Sequence, residues 1–401
     1  MRIALITEFY YPHLGGVTEH VHHLARELRA MGHSATIITS HMAGESGDEP
    51  FVRRVGKSRL IYSNGSFARV STGRTLLRDI ERILREDRIE LIHLHGALAP
   101  TLGMVGQWAA YRLRLPVVAT FHSWFPGSPP YRLLQKPMQI LMDAIAVKIA
   151  VSEPVIQAHS RYFRADWEII PNGIEVRYFH PNGRQPNDAL KQGPRLLFLG
   201  RLDPRNGLQT ILDAMPGVLA RYSNAELVVA GDGPLRSHYE RKARDLGASV
   251  KFMGHVFEER PDCYGSSDLY LCPTTRASFG ITLLEAMACG TPIVASDIIG
   301  FRELIAGGRE AVMVPPFNTE AWTRAIVNLI DDPAYRWVMR QAGLRKAQEF
   351  AWPRIAERIA DVYRRALKRP AERPEQNPLR RPPQQWDGTR DAANPIRFSL
   401  N

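Results

Sequence analysis

The sequence predicts an α/β protein built from two parallel-sheet domains facing a central cleft, and three observations predict it. Apolar runs of strand length alternate with amphipathic segments of helix length from one end to the other, the pattern of a parallel sheet with helices on both faces. Between Pro181 and Pro194 that pattern lapses; two Gly, three Pro and two Asn occur there, and the stretch reads as a linker. Glycines then gather just past strand ends on either side of it, at Gly15-Gly16, Gly200 and Gly231-Asp232-Gly233, the end of an open parallel sheet where ligands bind.

In chain order, Arg2 to Glu8 is a strand-like run. Gly15-Gly16 opens a helix that sets Val17, Val21, Leu24 and Leu28 on one stripe, and Ser34 to Ser40 returns to strand character. Strand signals follow at Glu90 to His95, Pro116 to Phe121 and Ala146 to Ser152, which completes a first domain over 1–185. The second domain, 186–350, has strand-like runs at Arg195 to Leu199, Ala225 to Ala230, Ser249 to Met253, Asp268 to Cys272, Thr291 to Ala295 and Ala311 to Val314. Between the first two of these, Leu208, Ile211, Leu212, Met215, Val218 and Leu219 lie at helical spacing. A last helix runs from Trp352 to Leu367, and the segment 351–368 is expected to pack back on the first domain. The tail 369–401, rich in Pro, Arg, Gln and Asn, reads as disordered.

With 401 residues and 44% of them hydrophobic, each domain can bury a proper core. The N-terminal run carries a charge at Arg2 and no small-residue cleavage site, so a first strand is expected there in place of a signal peptide. No apolar run reaches membrane-spanning length, since even Ile140 to Val151 is broken by Asp143 and Lys148. Cys263, Cys272 and Cys289 are odd in number and lack C-x-x-C spacing, which argues against a disulfide framework or a structural zinc site and fits a reducing cytoplasm. The net charge of +11 suits nucleic acid, an anionic membrane face or a phosphorylated substrate. Of these, nucleic acid is not an expected partner, because RRM, KH and helix-turn-helix signatures are lacking. There is no G-x-G-x-x-G after the first strand and no G-K-[ST], which disfavours a dinucleotide enzyme and a P-loop ATPase.

The stretch from Pro273 to Ser296 reads as loop, helix, turn and strand, with Phe279-Gly280 opening a helix that stops at Gly290. A helix start presents unpaired N–H groups and the positive end of the helix dipole, which favour an anion. Glu285, a lone carboxylate among Leu283, Leu284, Ala286 and Met287, is either an outer-face residue or an acceptor for a ligand hydroxyl.

Taken together, Pro171-Asn172-Gly173-Ile174-Glu175, Gly200-Arg201-Leu202-Asp203-Pro204, Gly231-Asp232-Gly233-Pro234, Phe252-Met253-Gly254-His255-Val256 and the run from Glu285 to Ala295 resemble family 4 retaining glycosyltransferases. The resemblance spans about residues 1 to 367 and implies the GT-B fold, two Rossmann-like domains around a cleft. Gly15-Gly16-Val17, Asn64-Gly65-Ser66-Phe67-Ala68-Arg69 and Val118-Ala119-Thr120-Phe121-His122-Ser123 resemble, within that family, the bacterial phosphatidylinositol mannosyltransferases.

That resemblance implies roles. Arg201 would hold the donor diphosphate with a guanidinium fork suited to phosphate oxygens, and Gly16 would let the opposite domain's backbone reach the same group. Phe279 and Gly280 would offer main-chain N–H groups, and Glu285 would take the nucleotide ribose hydroxyls. His122, at the end of a strand, would contact the donor sugar and assist the acceptor, while the leaving phosphate takes the acceptor proton. No Asp-x-Asp is present, so no metal or other cofactor is expected, and arginine charge replaces the cation. The implied donor is a nucleoside diphosphate sugar such as GDP-mannose. The implied acceptor is an anionic or lipid-linked one such as phosphatidylinositol, bound through Asn64, Ser66 and Arg69 by a cytoplasmic protein in peripheral contact with the inner membrane face.

Two positions depart from the family pattern. Asn206 stands where a lysine usually precedes the closing glycine, leaving Arg205 as the neighbouring cation, and Ala277 stands where a glutamate usually holds the donor sugar. Losing that carboxylate removes up to two charge-assisted hydrogen bonds of about 1.5 to 3 kcal/mol each when buried. The donor sugar is then held differently, or transfer is slow, or the chain is an inactive nucleotide-sugar-binding homologue. On the acceptor side, Arg74, Arg78, Arg82 and Arg85 face away from Leu76, Leu77, Ile80, Ile83 and Leu84. This suits an interfacial helix on anionic lipid, or a solvated helix whose arginines pair with Asp79, Glu81 and Glu86.

Overall fold

The computed structural model describes residues 1–13, 15–44, 49–63, 66–98, 102–181, 193–305 and 307–368, and within these the backbone alone of 60–63 and 66–68. The tail 369–401, most of the expected linker and Asn64 lie outside the described residues.

Two sheets form. The first runs in the order β4-β3-β2-β1-β5-β6-β7-β8, with β1 Arg2–Thr7, β2 Ser34–His41, β3 Val52–Ser63, β4 Ser66–Thr72, β5 Leu91–His95, β6 Val117–Phe121, β7 Val147–Ala150 and β8 Trp167–Ile169. The second runs β11-β10-β9-β12-β13-β14, with β9 Arg195–Leu199, β10 Glu226–Ala230, β11 Val250–Gly254, β12 Leu269–Cys272, β13 Ile293–Ser296 and β14 Val312–Val314. Pairing is parallel throughout except between β3 and β4, an antiparallel pair on the edge of the first sheet. The sequence reading has no β3, β4 or β8. The described part of β3, next to the edge strand β4, mixes Arg53, Arg54, Lys57 and Arg59 with its apolar residues, which hides it from an apolar-run reading.

β1 and β9 are central, each paired on both edges. Both are apolar along their length because helices cover both faces of their sheets. Helix Gly16–Ala30 buries Val21, Leu24, Ala25 and Leu28 on β1 and β2. Helix Trp352–Lys368 adds Ile355, Ile359, Val362 and Tyr363 to that same cluster, so it completes the core of the first sheet although it follows the second. Burying each such side chain is worth about 1.5–3 kcal/mol. Where the chain returns, Ile174 N–H donates to Phe350 O at 2.8 Å and Trp352 N–H to Ile174 O at 3.2 Å. A Cβ on Gly173 would lie 2.5 Å from the Trp352 ring, which requires glycine at this close approach.

No helix among the described residues is long and apolar enough to cross a membrane.

Candidate functional site

A cavity of about 500 Å³ opens between the two sheets, at the carboxyl ends of their central strands. From the first sheet its wall is the start of helix Gly16–Ala30, with Gly15, Gly16, Glu19, His20 and His23. From the second it is the loop after β12 and the start of helix Ile281–Cys289, with Thr274, Ala277, Ser278, Phe279 and Gly280. Gly280 caps that helix at φ +100°, and Gly290 ends it at φ +72°, left-handed positions that suit glycine. A Cβ on Gly280 would also lie 2.8 Å from the Phe301 ring. Two helix N-termini thus point at one space, each favouring anionic groups.

The positive charge at the wall comes from Arg205, Arg260 and Arg276. Arg201 is exposed on the turn after β9 and is not among the residues that line the cavity. That turn is fixed locally: the Asp203 carboxylate accepts from Asn206 N–H at 3.1 Å, and the Asn206 amide donates to Arg201 O at 2.7 Å. The Asn206 side chain is therefore spent on backbone. Thr275 N–H donates to Arg205 O at 2.9 Å, tying this turn to the loop after β12.

Glu285 lines the cavity but is only 3% exposed. Arg260 donates to one of its oxygens at 2.7 Å and the Tyr264 hydroxyl to the other at 2.9 Å. Burial pushes its pKa up against the pull of Arg260. Arg260 also reaches 3.8 Å from Glu19 of the first sheet's helix and stands over the Phe179 ring at 5.2 Å. Sequence reasoning missed Arg260 and Glu19: Arg260 opens a six-residue helix with no local motif, and the two are 241 positions apart.

His122 follows β6 and meets His95, at the end of β5, at 3.1 Å. The His20 ring lies 4.8 Å from it. Burial first, then the neighbouring imidazoles, hold its pKa well below the usual histidine value, so it is neutral. Next along the chain, Trp124 N–H donates to the Ser278 hydroxyl at 2.8 Å, and Ser152 donates to Ser278 O. Ala277 lines the cavity, with its carbonyl 2.1 Å from where a Cβ on Gly300 would sit.

Of the expected acceptor residues, Asn64 and the Ser66 side chain lie outside the description. Arg69, on β4, donates to Ser58 at 3.3 Å; burial, and after it the Arg69 charge, lowers the pKa of His13 beside the Gly15 turn. Helix Leu76–Glu86 buries Leu76, Ile80, Ile83 and Leu84 and exposes Arg78, Arg82 and Arg85. Its arginines are partly paired: Arg82 lies 3.9 Å from Asp79, and Arg85 lies 3.5 Å from Glu81, which also takes Arg112 at 3.0 Å.

Residues 14–178 match the family model described as Glycosyltransferase Family 4, and 193–332 the model described as Glycosyl transferases group 1. A phosphatidyl-myo-inositol mannosyltransferase of Mycobacterium leprae is 32% identical over 366 residues, covering 90% of this chain and 96% of that protein. Among solved structures, a glycosyltransferase from Rickettsia africae superposes with a TM-score of 0.74 at 17% identity, over 92% of this chain and 99% of that one. Anabaena HepE, solved in complex with UDP, gives a TM-score of 0.71 at 20% identity over 91% and 100%. Both share the two-domain GT-B architecture expected from the sequence.

Proposed function

From the premise that the chain belongs to glycosyltransferase family 4, we propose that this glycosyltransferase moves a hexose, with retention, from a nucleoside diphosphate sugar to a lipid-linked acceptor. The observation that carries the reading is the pair of helix starts, at Gly16 and Gly280, that face one cavity from opposite sheets. An anion between them gains from both dipoles. HepE, with the same architecture, was solved with UDP, and the M. leprae relative is named for mannose transfer to a phosphatidyl-inositol. GDP-mannose and phosphatidylinositol are the donor and acceptor to test first.

In this reading Arg205 and the backbone at Gly16, Phe279 and Gly280 receive the diphosphate, with Arg201 swinging in from its exposed turn. Glu285 faces the ribose, held ionised by Arg260. Neutral His122 presents an N–H to a sugar hydroxyl, and the departing phosphate oxygen takes the acceptor proton, so no protein base is needed. Preorganised charge at the leaving group supplies the main rate term. Arg69, with Asn64 and Ser66, belongs to the acceptor side, and the exposed arginines of Leu76–Glu86 face anionic lipid at the inner membrane surface.

The test is incubation with radiolabelled sugar nucleotides and lipid extract. Labelled lipid is the expected product. Donor binding with neither transfer nor donor hydrolysis selects a second reading, a nucleotide-sugar-binding homologue without turnover, which Ala277 and the engaged Asn206 side chain favour. Sedimentation with anionic but not neutral liposomes at low salt is expected for the membrane contact; equal partition removes it.

A further inference from the structure

We propose that His20, His95 and His122 form a binding site for a divalent transition-metal ion of the zinc type, beside the floor of the cleft. It is separate from any cation on a donor diphosphate, since hard magnesium-type ions take oxygen ligands.

The three imidazoles come from three elements, helix Gly16–Ala30, β5 and the end of β6, and one ring nitrogen from each lies within 4.8 Å of the others. His20 is 1% and His95 2% exposed. A buried histidine usually fills a core with both nitrogens satisfied, and His93, next in the row, does so: it meets the Tyr363 hydroxyl at 2.6 Å and Thr120 Oγ1 at 2.7 Å. His20 differs, for its Nε2 is buried and has no hydrogen-bond partner among the described residues. Such a nitrogen is costly unless something binds it.

The protonation of His20 is that of a ligand. His20 Nδ1 meets Asn172 Oδ1 at 2.9 Å. A carbonyl oxygen only accepts, so the proton sits on Nδ1 and the Nε2 lone pair is free, the arrangement in which an outer partner orients a metal-bound imidazole. Burial holds His20 down to about 4 and His95 and His122 well below their ordinary value, so all three are neutral near pH 7, as coordination requires. Metal–nitrogen bonds of about 2.0–2.1 Å in tetrahedral geometry put the nitrogens ~3.4 Å apart. His95 Nδ1 and His122 Nε2 are at 3.1 Å already, sharing a proton; on coordination that proton moves to the far nitrogen of its own ring, and His20, within 4.8 Å, closes on the pair by about 1–2 Å. His20 also lines the cavity, which leaves a fourth position for water or a ligand from the cleft. If His122 contacts the donor sugar as proposed above, a bound ion takes its nitrogen and inhibits transfer; that consequence alone rests on the proposed function.

The test needs no donor. The full chain, stripped with a chelator, is titrated with Co²⁺ at pH 7.5 and read by visible absorption and equilibrium dialysis. The expected result is one tight equivalent with an intense tetrahedral band, displaced by Zn²⁺. His122→Ala and His20→Asn should each weaken binding by more than about 100-fold, Asn172→Ala by about 10–100-fold, and the exposed His238→Ala not at all. Melting of each metal-free variant shows that it is folded. No tetrahedral band in the wild type, or binding unchanged in both ligand variants, overturns the proposal and leaves a hydrogen-bonded histidine row with an adventitious surface ion only.

Discussion

Replacing Arg260 by Met tests how the cleft keeps Glu285 ionised. The variant keeps most of the side chain's volume and removes the 2.7 Å partner of a carboxylate that is 3% exposed. Breaking a buried ion pair from one side costs about 3–5 kcal/mol; Arg260 is itself 23% exposed, so water recovers part of this and the lower end, about 3 kcal/mol, applies. For a domain of this size that lowers the melting temperature by about 6–12 °C. The pH dependence fixes the cause. Burial already raises Glu285 above 4.5, and Arg260 opposes the rise; without Arg260 the folded pKa climbs further above the unfolded one. Between those two values the folded state binds more protons, so stability falls as pH rises. The variant's deficit is thus largest at neutral pH and shrinks as pH falls toward 4.5. Adding Glu285→Gln removes the buried charge and should recover most of the loss, with a coupling of about 1–3 kcal/mol in the double-mutant cycle. Calorimetry of the four proteins at pH 5 and 7.5 measures it. A variant that melts within 1 °C of the wild type at pH 7.5, or a deficit that does not vary with pH, refutes the assignment.

Three further outcomes are expected. Ala277→Glu restores a carboxylate at the cavity wall and should raise transfer from a hexose donor, read as kcat/KM; no gain means that the site is built around another way of holding the sugar. Gly300→Ala sets a methyl 2.1 Å from Ala277 O and should cost about 1–3 kcal/mol while weakening nucleotide binding in a thermal-shift titration, since the displaced loop carries Phe279. Glu8, buried between Ser71 and Leu102 N–H, is raised by burial to about 7 from 4.5; a raised carboxyl stabilises below 4.5 and loses that as pH rises through 7, by about 3 kcal/mol. Glu8→Gln should flatten that slope in urea melts across pH 4–8, and an unchanged slope removes Glu8 as its source.

Much of the fold was legible because parallel strands buried on both faces announce themselves locally: Arg195–Leu199, Glu226–Ala230 and Leu269–Cys272 are apolar runs bounded by turns. The β3–β4 pair was not, because its described side chains include charges facing solvent that break the apolar pattern. Helix starts at Gly16 and Gly280 could be read from glycine placement. The Arg260 bridge and the histidine cluster could not: the first depends on how the two domains meet, and the second on which strands are neighbours and which helix lies over them. Arg201 shows the reverse case: its motif is plain in the sequence, yet the adjoining turn leaves it exposed.

The bridge between Ile174 and Ala351 has a mechanical consequence. The polypeptide passes between the two halves twice, once after β8 and once at Phe350–Trp352, and this bridge clamps the two passages side by side. A body held at two adjacent points along one line can swing about that line but cannot slide away from it. Two crossings held side by side favour rotation of the halves about their common line, as covers turn on a two-ply spine, and the contacts of Trp124 with Ser278 and of Glu19 with Arg260 are among those such a turn would strain.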